Sequence, residues 1–310
     1  MTLEEKYIAR IMLKNKILSS DGQAYENLFC QIMRLHNPNF QAIKPQGSFG
    51  DRKNDGFDKT TGTYYQVYAP ENIKIKERDT IKKLVTDFEG LYKYWNEQVA
   101  SIKKFHYVVN DKYKGIYPTL AVELTEIEKA YSGVIAKPFL SKDLEDICLE
   151  LSDDKIMQVI GFIPNPANFS IIEPTILAEV ISFVLDFEVQ YSPENIPNDP
   201  DFDKKIQFNN LSKNVKRLLD NGRIQGYILD RYFNLNSNFT KDELRNKFTY
   251  LYSEAIKNIE TIEDKSDLVF FKILKDASPK QTKAVQDAVL LLMAYYFEYC
   301  DIFETPPSKD

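Results

Sequence analysis

Between residues 161 and 174 the chain changes character, and that change does most to limit what it can fold into. The segment GFIPNPANFSIIEP holds three prolines and no sustained periodicity. Such a stretch reads as a boundary between folded parts. Strand-like runs lie only before it. Residues 3–17 and 20–36 read as helices, the second placing Ala24, Leu28, Ile32 and Leu35 on one face. Asn37-Pro38-Asn39 ends that helix, and FQAIKP (40–45) reads as a short strand. After a polar loop, QGSFGDRKND (46–55), the aromatic-rich runs GFDK and TYYQVYA flank Thr60-Thr61-Gly62-Thr63 and read as a β-hairpin. A helix over 76–98, a strand FHYVV (105–109), a helix over 118–130, a strand in GVIAKPFL (133–140) and a helix over 141–160 follow. This order predicts an α/β (α+β) domain with a mixed sheet flanked by helices over residues 1–165. Residues 166–310 are expected to be all-α, with helices over 174–188, 203–208, 210–234, 240–260, 266–276 and 280–299.

Composition narrows the class. The 310 residues are 43% hydrophobic and include 20 Phe, 19 Tyr and one Trp, which excludes a disordered or collagenous chain. Three dispersed cysteines (Cys30, Cys148 and Cys300) and two histidines (His36 and His106) argue against a disulfide framework or a structural zinc site. The first residues, MTLEEKYIARIMLKNK, mix charges too early for a signal peptide. The longest apolar run, residues 288–297, is about half a membrane span. The expectation is a cytoplasmic protein with no membrane partner.

A net charge of −6 argues against a generally basic nucleic-acid binder. The excess acid is unevenly placed, however. Residues 1–165 hold 23 basic and 23 acidic side chains, and residues 166–310 hold 17 and 23. The densest basic run, Lys74, Lys76, Arg78, Lys82 and Lys83, lies in the first half. It reads either as a solvated helix face or as a local contact for phosphates.

The chemistry concentrates between Glu26 and Pro70. A helix bearing Glu26 leads into a strand, a loop delivers Asp51 and Asp55, and the hairpin's second strand delivers Gln66, eleven residues after Asp55. Alternation along paired strands lets Asp55 and Gln66 aim oxygens at one point. Such an oxygen set suits Mg²⁺ completed by water and phosphate. Asp55-Gly56 also reads as a turn pair, and Gln66 as an amide bonded to nearby backbone. His36, His106 and Asn110-Asp111 read as structural.

An acid on a first helix, Asp at a strand start and Asp/Glu/Gln-x-Lys on the next strand resemble the PD-(D/E)xK nucleases. More narrowly, GDRKNDGF (50–57), YYQVYAPEN (64–72), DF…W (87–95) and HYVVND (106–111) resemble a group of bacterial proteins that accompany ABC/SMC-type ATPases. These act in three-component anti-phage systems related to Lamassu. DFDKKIQFNNLS (201–212) and AYYFEYCDIFE (294–304) are similar to the helical carboxy-terminal domain of such systems.

The resemblance implies a restriction-endonuclease-like fold and a metal-dependent DNA endonuclease using Mg²⁺ or Mn²⁺. The chain would be the effector subunit controlled by an ATPase partner and an accessory subunit. Asp55 and Gln66 would be metal ligands, Glu26 the helix acid and Asp51 an auxiliary ligand. The basic run, with Tyr68 as a stacking platform, would contact DNA. The family's lysine position, two after Gln66, is Tyr68, which is neutral near pH 7. Lys44 and Lys53 are the candidate replacements. With neither, the chain would be a nuclease-like module that binds DNA or a partner without cutting. The last helix, apolar on all sides, reads as a core helix or as an interface to a partner or a second copy. Glu298, Asp301 and Glu304 would add an acidic edge to it.

Overall fold

The computed structural model describes residues 1–45, 47, 50–70, 77–165, 167–189, 201–236, 238–259, 263–299 and 302–307; for 77–80, 238–239 and 258 it describes only the backbone course. The chain divides into two units, Lys16–Val159 and Met1–Asn15 together with Ile160–Asp310. The division falls near the expected 165/166 boundary, but the first fifteen residues count with the later unit. Their helix, α1 (Leu3–Leu18), buries Ile8, Ala9, Ile11 and Leu13 completely. Tyr7 donates to Asp267 at 2.9 Å, and Asn15 Nδ2 donates to the Leu268 carbonyl at 2.9 Å.

The unit Lys16–Val159 is mixed α/β. Helix α2 (Gly22–His36) precedes three strands, β1 (Phe40–Ala42), β2 (Gly56–Asp58) and β3 (Thr63–Tyr68). Helix α3 (Glu77–Leu91), strand β4 (Lys104–Val109), helix α4 (Pro118–Ala130) and strand β5 (Ile135–Phe139) follow, then α5 (Ser141–Leu149) and α6 (Asp153–Ile160). The sheet order is β1-β2-β3-β4-β5. The β1–β2 and β2–β3 pairs are antiparallel, whereas β3–β4 and β4–β5 are parallel. Parallel neighbours need a crossover, and α3 and α4 supply the two. Pro138 is tolerated because β5 is an edge strand.

Alternation along β3 sends its side chains to two cores. Tyr64 packs with Phe57, Leu84, Phe88, Trp95 and Phe105 beside α3. Tyr65, on the other face, meets Phe29 of α2 at 5.5 Å and stacks on His106 at 5.2 Å. Burial lowers the pKa of His106 to about 4, in keeping with a structural role. Asp55-Gly56 is not a turn: Gly56 is a strand residue, and a Cβ there would lie 2.3 Å from the Phe40 ring. The expected helix over 76–98 changes pitch, continuing from α3 as a π-turn over Tyr92–Asn96.

The other unit is helical after Ile160: α7 (Pro174–Leu185), α8 (Phe202–Phe208), α9 (Lys213–Ile224), α10 (Tyr227–Leu235), α11 (Asn238–Asn258), α12 (Lys265–Asp276) and α13 (Lys283–Glu298). The single helix expected over 210–234 breaks at Gln225-Gly226. There the Gln225 backbone N–H donates to the Gly222 carbonyl at 3.0 Å, and its side-chain Nε2 donates to the Ser170 carbonyl at 2.9 Å. Every residue of α13 from Val285 to Phe297 is buried, against α7, α9, α11 and α12. Its all-round apolarity therefore belongs to a central core helix. The α9 crossing is so close that a Cβ at Gly222 would sit 2.7 Å from the Leu290 carbonyl oxygen. Helix α13 ends at Glu298, so Glu304 does not extend an acidic edge along it. Asp301 and Cys300 lie outside the described residues.

Candidate functional site

The hairpin register creates the site. Asp55 lies just before β2, and its N–H donates to the Tyr65 carbonyl at 3.0 Å while its own carbonyl accepts from Ile43 N–H at 3.0 Å. Its backbone is thus laced to both neighbouring segments. Asn54, fully buried, accepts from Gly56 N–H at 3.1 Å and fixes the bend into the strand. The Asp55 side chain then faces the end of β3, where its Oδ2 accepts from Gln66 Nε2 at 2.9 Å and from Val67 N–H at 2.6 Å. Both side chains are buried, and Gln66 Oε1 has no hydrogen-bond partner. An orphaned buried acceptor is uncommon.

Electrostatics set this pair apart from an ordinary structural contact. Burial pushes the Asp55 pKa up to about 7, against the Val67 hydrogen bond, which lowers it. The carboxylates of Glu26 and Asp51 raise it further, and the Lys83 ammonium opposes them. Glu26, half-buried on α2, thus acts on Asp55 through its charge. Asp51 accepts from Lys53 N–H at 2.7 Å and shapes the loop.

A second cluster adjoins the pair. Asp87 on α3 is only 2% exposed, and its two oxygens meet Lys53 Nζ at 2.9 Å and Lys83 Nζ at 2.6 Å. Lys83 also lies 5.7 Å over the ring of Tyr68, which is stacked on Tyr107. The ring expected to stack on a base thus has both an ammonium and a second tyrosine ring beside it. Trp95 Nε1 donates to the Arg52 carbonyl at 3.2 Å, so α3 and its π-turn clasp the loop that carries Asp51 and Lys53. Arg52 and Lys53 both have positive φ, at 55° and 63°. Such conformations cost non-glycine residues energy and persist where surroundings hold them.

Of the residues expected at the site, the structure brings Asp55 and Gln66 into contact and sets Glu26, Asp51 and Lys53 around them. Lys44, after the end of β1, instead lines a cleft beside α2 together with Glu26. Lys82 is exposed on α3. Lys74 and Lys76 lie outside the described residues, as does the side chain of Arg78. Sequence reasoning missed Asn54 and Asp87. The DF…W run pointed at Asp87 without a role for it.

Among the described residues, no group of three or more His, Cys, Asp or Glu side chains is placed to hold a metal ion. The residues able to ligate one are Asp55 and Gln66, a carboxylate beside an amide oxygen that lacks a partner. This set fits Mg²⁺ better than a metal demanding a full protein cage. Mg²⁺ commonly takes one or two carboxylates and completes its shell with water and phosphate. A cation there would also relieve the repulsion among Asp55, Glu26 and Asp51.

The remaining motifs are structural. Asn110 Nδ2 donates to the carbonyls of Ile17 and Ser20, at 2.8 and 2.7 Å, capping the end of α1. Asp111 accepts from Ser141 N–H at 2.9 Å. In the helical unit, the fully buried Lys205 donates to the Phe297 carbonyl at 2.7 Å. Asn209 exchanges two hydrogen bonds with the Glu304 backbone, at 2.8 and 2.9 Å. The two sequence blocks of the helical half are therefore wired to each other.

Comparison with known proteins places that half. Residues 176–304 match the family model for C-terminal domain 10 of the ABC-three component (ABC-3C) systems. No curated protein and no solved structure matches the chain. Residues 176–304 are thus similar to the C-terminal domain of such systems, and a mixed α/β unit lies before them in the chain.

Proposed function

We propose that this component of an ABC-three-component system is its nuclease-type effector, cutting DNA with Mg²⁺ or Mn²⁺ in bacterial anti-phage defence. It would work under the control of the system's ATPase and accessory subunit. The observation that carries this reading is the buried Asp55–Gln66 contact at the end of β3, within a helix, three strands, helix, strand order. That order and that pairing resemble the PD-(D/E)xK nucleases.

In this reading Asp55 and Gln66 hold the metal, with Asp51 in support. When bound, such a metal polarises a phosphodiester and makes a water nucleophilic near neutral pH. Lys83 brings from α3 the positive charge that Tyr68 cannot supply. Its ammonium sits over the ring that occupies the usual lysine position. Glu26 adds negative charge from α2, which favours retention of a cation at Asp55. Lys82, with Lys74, Lys76 and Arg78 before it, would meet DNA phosphates.

A second reading rests on Asp87. Both Lys53 and Lys83 already hold their ammonium groups against it. If they stay there, the unit binds DNA or a partner and does not cut. The discriminating assay incubates the full chain, alone and with its ATPase and accessory subunit, with DNA and Mg²⁺ or Mn²⁺. The nuclease reading expects cutting that Asp55→Ala reduces at least ~100-fold while assembly persists. DNA binding without cutting under every condition supports the module. Undiminished cutting by Asp55→Ala puts the site elsewhere.

A further inference from the structure

Beside the Asp55 pair, a cleft of ≈ 660 Å³ runs along α2. Two helical stripes form one wall. Glu26, Cys30 and Arg34 recur every four residues, and Gln23, Asn27 and Gln31 repeat that interval alongside them. The opposite wall is the chain leaving β1, residues 42–45, with Lys44 on it. The cleft is electrically polarised. Arg34 and Lys44 are exposed and, among the described residues, form no ion pair. Glu26 lies two helical turns from Arg34, about 12 Å along the axis. The acid end adjoins Asp55: Cys30 Sγ donates to the Asp55 carbonyl at 3.8 Å, and Glu26 is one of the carboxylates that raise the Asp55 pKa. The Cys30 thiol itself is pushed up to about 12 by burial, so it forms an inert wall and not a nucleophile.

We propose that this cleft is a phosphodiester-binding subsite for single-stranded nucleic acid. It would take a nucleotide or two flanking the bond presented to Asp55, in keeping with the nuclease reading on which the proposal rests. Arg34 and Lys44 grip the phosphate. Gln23 Nε2 donates to Asn27 Oδ1 at 3.3 Å and Gln31 Nε2 to the Gln158 carbonyl at 3.0 Å, which leaves the Asn27 amide nitrogen and the Gln23 and Gln31 amide oxygens to meet sugar and base. The volume falls in the range of small-ligand sites, ~300–1,000 Å³, which suits a short single strand and not a duplex. Two exposed cations that form no ion pair among the described residues line a cleft of mixed polarity whose carboxylate, Glu26, lies at the far end, which favours an anionic ligand that approaches Asp55 with one phosphate held back.

The test uses the full chain and a fluorescein-labelled oligothymidine, read by anisotropy across a salt series without divalent metal. Arg34→Gln and Lys44→Gln should each weaken binding about tenfold and flatten the dependence of log K on log salt by ~0.7. Lys103→Gln, at the other end of the sheet, should change neither. Wild-type affinity and slope in both cleft variants overturn the proposal, even if Asp55→Ala abolishes cutting. Equal dependence on Arg34 and Lys44 for duplex DNA overturns the single-strand assignment. Loss of oligonucleotide binding in the cleft variants of a chain that cuts nothing upholds the subsite while the nuclease reading fails.

Discussion

Asp55 holds a carboxyl where water barely reaches, and its proton affinity follows from that. Its pKa rises to about 7, chiefly through burial, with Glu26 and Asp51 adding to it and the Val67 N–H and Lys83 opposing. In the unfolded chain the same group titrates near pH 4. Between those values the folded state binds more protons than the unfolded one. The contribution of Asp55 to stability is therefore full below about pH 4 and is lost as pH rises through about 7. Asp55→Asn should raise stability by ~1–3 kcal/mol at pH 8 and change it little at pH 4.5. Thermal melts at the two pH values check this. An unchanged or lowered melting point at pH 8 contradicts it. The Asp55–Gln66 pairing was legible in the sequence because a hairpin's alternation fixes which side chains share a face. That Asp55-Gly56 begins a strand and does not form a turn depends on the Phe40 ring lying over Gly56, a contact from a separate strand.

At the scale of elements, the site depends on one helix holding one loop. Asp87 pairs with two ammonium groups, Trp95 donates to the Arg52 carbonyl, and the left-handed Arg52-Lys53 pair sits under that clasp. The π-turn inserts an extra residue per turn and so resets the direction of Trp95 relative to Phe88. Asp87→Ala should cost ~1–3 kcal/mol, because the lysines it holds are themselves partly exposed. It should also speed amide exchange at residues 51–55 selectively. A variant with wild-type melting and unchanged exchange there would show that the clasp does not hold the loop. None of this was readable beforehand. Periodicity gave a single helix over 76–98, and the partner of a helical side chain in a distant loop leaves no spacing signal. The helix break at Gln225-Gly226 escaped for the same reason, since the Gln225 side chain finds its partner at Ser170, far away in sequence.

At the scale of the whole molecule, charge and chain connectivity divide differently. The −6 net charge lies in the second half of the sequence, and the half with the Asp55 site is neutral. Acidity overall is thus compatible with local contact to nucleic acid. The change of pattern near residue 165 was legible from three prolines and a loss of strands. That Met1–Asn15 belongs with the helical unit was not, because an amphipathic helix does not name the surface it covers. Residues 160–310 expressed alone should fold poorly, since Asp267 and Leu268 would lose Tyr7 and Asn15, and the apolar face of α1 would be missing. Adding a peptide of residues 1–18 should restore helicity and a cooperative melt. A stable, cooperative fragment without the peptide would contradict this. Above both units stands the claim that Asp55 and Gln66 hold a divalent metal, which is independent of any partner that activates cutting. Calorimetric titration of Mn²⁺ into the full chain at pH 7.5 measures it directly. One bound ion in the wild type, lost in Asp55→Ala, is the predicted result, and identical titration curves for the two proteins would contradict it.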